Sequence, residues 1–146
     1  MDDAPPSYTA SWTYLGTTAA GKIYEVNPDA WAVVPSADLY DTELTARSHV
    51  TFMNEQLPKR GIRVALVIML DRILSQDRGA RTVYEKEPDA KWITCVALVG
   101  GSVFGRAVGS LFLGLGRVAV PTKMFATVEA GLAWIAEMKA RASTSP

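Results

Sequence analysis

His49 is the only histidine in the chain and Cys95 the only cysteine, so the two most reactive side-chain types occur once each. His49 stands among Arg47, Ser48 and Thr51, with no second histidine or cysteine to build a metal cluster or a proton relay around it. A partly exposed structural histidine is expected. Cys95 lies inside Trp92-Ile-Thr-Cys-Val-Ala-Leu-Val99, an apolar run in which a thiol is buried and badly placed for attack. A lone cysteine makes no internal disulfide and suits a reducing cytoplasm. Gly100-Gly101-Ser-Val-Phe-Gly105 has neither the lysine of a phosphate-binding loop nor the glycine spacing of a dinucleotide fold. The expectation is a binding protein with no catalytic residues, no metal and no cofactor.

Two local features point to binding. In Leu70-Asp71-Arg-Ile-Leu-Ser75-Gln-Asp77-Arg78-Gly79 an apolar strand runs out toward a helix start. Free N–H groups and the helix dipole there suit an anion or a partner's side chain, which makes Asp71, Ser75, Asp77 and Arg78 the partner-binding candidates. The bland alternative is a plain capped helix with Asp77 in its first turn. The second feature is the ladder Gly101, Gly105, Gly109, spaced by four and so on one helix face. Glycine costs about 1 kcal/mol relative to alanine at a helix-interior site, so three on one stripe imply a close neighbour. That neighbour is the domain's own sheet, another subunit or a ligand. Val103, Phe104, Leu111 and Phe112 make the remaining surface of this helix apolar, and they are the candidates for self-association or apolar-ligand binding.

The elements that position these residues follow from periodicity. Residues 1–16 read as a loose segment, with an edge strand where Tyr8 to Leu15 alternates. Lys22–Asn27 and Ala30–Val34, joined by Pro28-Asp29, read as a hairpin. Asp41 or Thr42 can cap a helix with apolar positions at Ala46, Val50, Met53 and Leu57, ended by Pro58 and Gly61. Arg63–Leu70 reads as a central strand. Ser75 can cap a second helix reaching Lys86, Trp92–Val99 forms another strand, and a third helix covers 102–115. Val118–Val120 is a short strand, and Thr127 caps a last helix through Lys139. Residues 141–146 read as a disordered tail. The sum is one α/β domain over 17–140, with a four- or five-stranded mixed sheet and about four helices.

Composition excludes some partners. The 146 residues carry fifteen basic and fifteen acidic side chains, so no net field draws the chain to nucleic acid. Trp92 to Leu115 is long enough to span a bilayer, but Gly100-Gly101 divides it and Arg106 would stand near its centre. A strand and a buried helix fit it better. The N-terminal residues lack the pattern of a secretory signal.

The element order, the strand ending in Asp71 and the C-terminal blocks resemble the sulfate-transporter and anti-sigma-factor-antagonist (STAS) superfamily, in its SpoIIAA-like branch. The blocks are Leu111-Phe-Leu-Gly-Leu115, Pro121-Thr-Lys-Met-Phe125 and Thr127-Val-Glu-Ala-Gly-Leu-Ala-Trp-Ile135. The resemblance spans about residues 20–140. It implies a regulatory, non-enzymatic module of the bacterial cytoplasm that docks onto another protein or onto a second copy of itself. The superfamily's phosphorylation switch needs a hydroxyl just before the motif glycine; with Gly79 matched to that glycine, Arg78 holds the place. The resemblance therefore implies docking without the switch. A lipid or a membrane surface is the alternative partner, since some relatives are similar in shape to lipid-carrying domains.

Overall fold

The computed structural model describes residues 6–102 and 120–144. The chain opens with a 3-10 turn at Ser7–Ser11, then β1 (Thr13–Thr18), β2 (Gly21–Asn27) and β3 (Ala30–Pro35). β4 (Leu39–Asp41) leads into α1 (Glu43–Arg60), followed by β5 (Val64–Met69), a 3-10 turn at Leu70–Arg72 and β6 (Ile73–Gln76). α2 (Arg78–Lys86), β7 (Ile93–Val99), β8 (Thr122–Phe125) and α3 (Val128–Thr144) complete the described elements.

The architecture is mixed α/β. A six-stranded sheet runs in the order β1-β2-β3-β5-β7-β8, and β4 and β6 form a separate two-stranded ribbon. The sheet therefore has more strands than the four or five expected, because β1 and β8 both pair at its edges. β1–β2–β3 is antiparallel, while β3, β5, β7 and β8 run parallel. Three α-helices appear among the described residues. The third helix expected over 102–115 lies outside them, with Val103, Phe104, Gly105, Gly109, Leu111 and Phe112.

Side-chain alternation sets the two faces. Trp31, Val33, Leu66, Ile68 and Leu98 join Met53 and Leu57 of α1 in one core. Ala30, Ala32, Ala65, Val67, Cys95, Ala97 and Val99 face the other way and pack with Ile135 of α3. Bulky residues thus meet α1, and small ones let α3 approach closely. β5 is buried along its whole length, as a strand covered on both faces must be.

Several boundaries differ from the sequence reading. The α1 cap is not one of them: of the two candidates, Asp41 and Thr42, it is Thr42, whose hydroxyl accepts from Thr45 N while Thr45 Oγ1 accepts from Thr42 N at 2.8 Å. Pro58 lies inside the last turn, and the helix ends where Gly61 turns left-handed at φ 67°. Ser75 caps nothing. It sits in β6, opposite Tyr40, and Asp77 is the α2 cap, accepting from Ala80 N at 2.8 Å. The short strand expected at 118–120 lies, but for Val120, outside the described residues; a strand that was not expected forms at Thr122–Phe125, where Pro121 precedes it and so withholds no N–H from the ladder. Thr127 does cap α3, accepting from Ala130 N at 3.2 Å, but the helix runs on to Thr144 where a loose tail was expected from 141. Among the described residues, no helix is long and apolar enough to cross a membrane.

Candidate functional site

Of the four partner-binding candidates, two are occupied in holding the fold. Asp71 accepts from Gly101 N at 3.1 Å, Ser102 N at 3.0 Å and Ser102 Oγ at 2.6 Å, tying the turn after β5 to the loop after β7. Desolvation, the largest single influence, pushes its carboxyl up, but the three bonds together outweigh it and leave the group below the usual range. Asp77 is committed to the α2 cap. Ser75 and Arg78 are exposed.

The β4–β6 ribbon adds neighbours that the sequence reading missed. Tyr40, Leu44 and Leu74 keep 66%, 75% and 40% of their surface exposed, on β4, on the first turn of α1 and on β6. Tyr40 is the ladder partner of Ser75, so apolar and polar candidates share one surface. A three-residue strand is too short for its alternation to announce itself, and that hid Tyr40. Gly79 lets the two helix N-termini meet: a β-carbon there would lie 2.9 Å from Glu43 Cβ.

Behind this ribbon is a buried polar knot. Asp41, 2% exposed, accepts from Thr45 Oγ1 at 2.6 Å, Tyr84 Oη at 2.9 Å and Gln76 Nε2 at 3.3 Å. It joins β4, α1, α2 and β6 through one carboxylate. Desolvation raises the pKa of Asp41, with the three donors pulling the other way, and burial beside Asp41 holds the Tyr84 hydroxyl well above its usual value.

His49 departs most from expectation. It is 3% exposed rather than partly exposed, and neither ring nitrogen has a hydrogen-bond partner. Burial lowers its pKa to about 4, so the imidazole is neutral at physiological pH. It borders a cavity of about 60 Å³ between α1, α2 and the sheet, with walls that include Val50, Met53, Leu66, Ile68, Ile93 and Val96. On the opposite face of the sheet Cys95 is 1% exposed, as expected, and desolvation raises its thiol pKa. It lies at the base of a cleft of about 390 Å³ spanned by the Lys139–Asp29 ion pair at 2.7 Å.

The glycine ladder is described only at its first member. A β-carbon on Gly101 would meet Ala126 O at 3.6 Å and Asp71 Oδ2 at 3.9 Å, ordinary contacts, so the close packing expected of that stripe is not seen there. Gly101 instead donates its N–H to Asp71 in a turn that follows β7 directly. Among the described residues no group of three histidine, cysteine or carboxylate side chains converges as a metal site.

No curated protein and no solved structure matches the chain. One family model matches, that of a domain of unknown function (DUF7793), over residues 42–139. The matched segment begins at the cap of α1, one residue after Asp41, ends within α3 and takes in the three donors to Asp41, the cavity and the start of α2. It covers more than half of the 146 residues, and the chain belongs to the DUF7793 family.

Proposed function

We propose that this chain is a non-enzymatic interaction module that docks onto another protein through the β4–β6 ribbon and the adjoining helix starts. The observation that carries the reading is the exposure of Tyr40, Leu44 and Leu74 on elements held rigid from behind by the Asp41 knot. Large apolar side chains on a rigid surface, rimmed by Ser75 and Arg78, have the composition of an interface core with a polar border. The resemblance to anti-sigma-factor antagonists supports the same region, since their docking site includes the N-terminus of the corresponding helix. Arg78 stands where the phosphorylated hydroxyl would be, so docking here runs without that switch.

The test is a pull-down from the source cell followed by titration of the purified partner. Leu44→Asp and Leu74→Asp should each weaken that binding at least about tenfold, the loss expected for a truncated interface anchor. A partner whose affinity ignores both substitutions sinks the reading. So does stoichiometric phosphate on Ser75 that controls binding, as far as the missing switch is concerned.

A further inference from the structure

The two edges of the large sheet are unlike. β8 has four residues, follows Pro121 and carries Lys123, three features that keep an edge from recruiting another strand. β1, at the other edge, has six residues with neither proline nor charge. The uncharged run around it extends from Ala4 to Gly21 and is the longest in the chain. Among the described residues, no second strand and no side chain takes up the N–H and C=O groups that such an edge turns outward. Thr13, Tyr14 and Thr17 are exposed, and residues of these types pair well across strands. The one guard on β1 is a bulge: Leu15, the extra residue between Tyr14 and Gly16, packs on the α1 core. It kinks the first half of the strand and leaves Gly16–Thr18 in unbroken register with Gly21–Ile23. Thr17 is the middle of that straight part.

We infer that β1 is a pairing edge for a second copy of this chain, antiparallel about a two-fold axis at Thr17, so that the two sheets become one. The occupant is a second copy because of charge. Antiparallel self-pairing sets a segment against its own reverse, and like charges directly opposite each other destabilise a strand pair. With no charge between Ala4 and Gly21, the edge meets itself without that cost. Thr17 of one copy lies opposite Thr17 of the other, a pair whose hydroxyls suit each other. The contact also closes. Each copy spends its β1 edge on the other, and the edges left at the two ends are the guarded β8 strands, so assembly stops at a dimer. Only a few ladder bonds join the copies, so the dimer is weak and depends on concentration. This surface is separate from the β4–β6 ribbon and does not rest on the docking reading.

Sedimentation of the full chain over a range of concentrations should show a monomer–dimer equilibrium, with β1 amides gaining protection from hydrogen exchange as the dimer forms. Thr17→Glu should weaken the dimer about fivefold, because two carboxylates then face each other across the axis. The fold is spared, since Lys22 stands opposite position 17 in the same sheet. Thr17→Cys gives a second reading that survives even if Thr17→Glu does not fold. Cys95 is buried, so the new thiol is the accessible one, and mild oxidation should link two copies through it. Thr13→Cys should stay unlinked, because eight residues along the strands put it roughly 27 Å from its counterpart. A chain that remains monomeric up to about 1 mM overturns the inference. So does linking through position 13 as readily as through 17. A dimer weakened by Leu44→Asp or Leu74→Asp but not by Thr17→Glu also overturns it, since the copies then meet through the ribbon.

Discussion

At the scale of single residues, His49 and Asp41 show how burial couples this fold to acid. Unfolded, the imidazole takes up its proton near pH 6.5; folded, only near pH 4. Between those values the unfolded chain binds more protons, so His49 makes the fold less stable as pH falls. The loss from His49 alone is about 2 kcal/mol between pH 7 and pH 5. Asp41 acts in the opposite sense: its raised pKa means that the fold takes up that proton first, which favours the fold in acid. Urea unfolding of the parent chain and of His49→Phe at both pH values isolates the histidine, because the variant should lack its share of the acid loss. Equal pH dependence in the two would mean that the imidazole is not buried unpaired. Tyr84→Phe probes the other group: it leaves Asp41 with one donor fewer and should cost about 1.5–3 kcal/mol, read from the same unfolding curves. The burial of His49 was already implied by spacing, since it lies three residues after Ala46 and four before Met53, on the stripe that packs inward. Its hydrophilic sequence neighbours obscured that. The Asp41 knot had no such sign, because its donors come from residues 45, 76 and 84 and meet only in the fold.

Among the elements, those that could be read from sequence were those with a strong period and a clean stop. The β2–β3 hairpin, α1, β5, β7 and α3 all carry several residues of one pattern, and each lies where that pattern puts it. The ribbon strands do not. β4 and β6 have three and four residues, and Ser75, a good cap by type, masks the end of β6 because it precedes Asp77, the actual cap. Cap choice depends on where the strand ends, which the ladder to β4 decides. Glycines divide in the same way between local and long-range causes. Gly21 has φ 150°, and a β-carbon there would lie 2.3 Å from Val34 O across the hairpin. Gly21→Ala should therefore cost about 3 kcal/mol or more, combining backbone strain with overpacking against a main-chain atom. Gly101→Ala, with ordinary contacts only, should stay within about 0.5 kcal/mol. Thermal unfolding of the two variants side by side checks the contrast, and equal losses would refute it.

For the molecule as a whole, the sheet separates two unequal layers. On one face the large side chains of β3, β5 and β7 interlock with α1, and α2 is joined to α1 through Ala46, Val50, Ala80 and Val83. On the other face, among the described residues, α3 covers a row of small residues together with Trp12 and Val26, and it is fastened by Ile135, by the Phe125–Trp134 ring contact at 5.5 Å and by the exposed Lys139–Asp29 pair. Exposed ion pairs contribute little, so α3 is the layer that opens at the lowest free energy. Cys95 lies beneath it and reports that opening. Its thiol is buried and its pKa raised, so a thiol reagent in native buffer should label it far more slowly than an unstructured cysteine. Gly131 sets how closely α3 can sit: a β-carbon there would lie 3.3 Å from Ala97 Cβ and 3.5 Å from Val99 Cγ2. A leucine cannot fit without lifting the helix. Gly131→Leu should then raise the labelling rate of Cys95 at least about tenfold, as 1.4 kcal/mol less opening free energy does, while the α1 face keeps its protection from hydrogen exchange. Fast labelling of the parent chain would contradict the burial of the thiol. An unchanged rate in Gly131→Leu would show that Cys95 is reached from the cleft at the Lys139–Asp29 end rather than by release of α3.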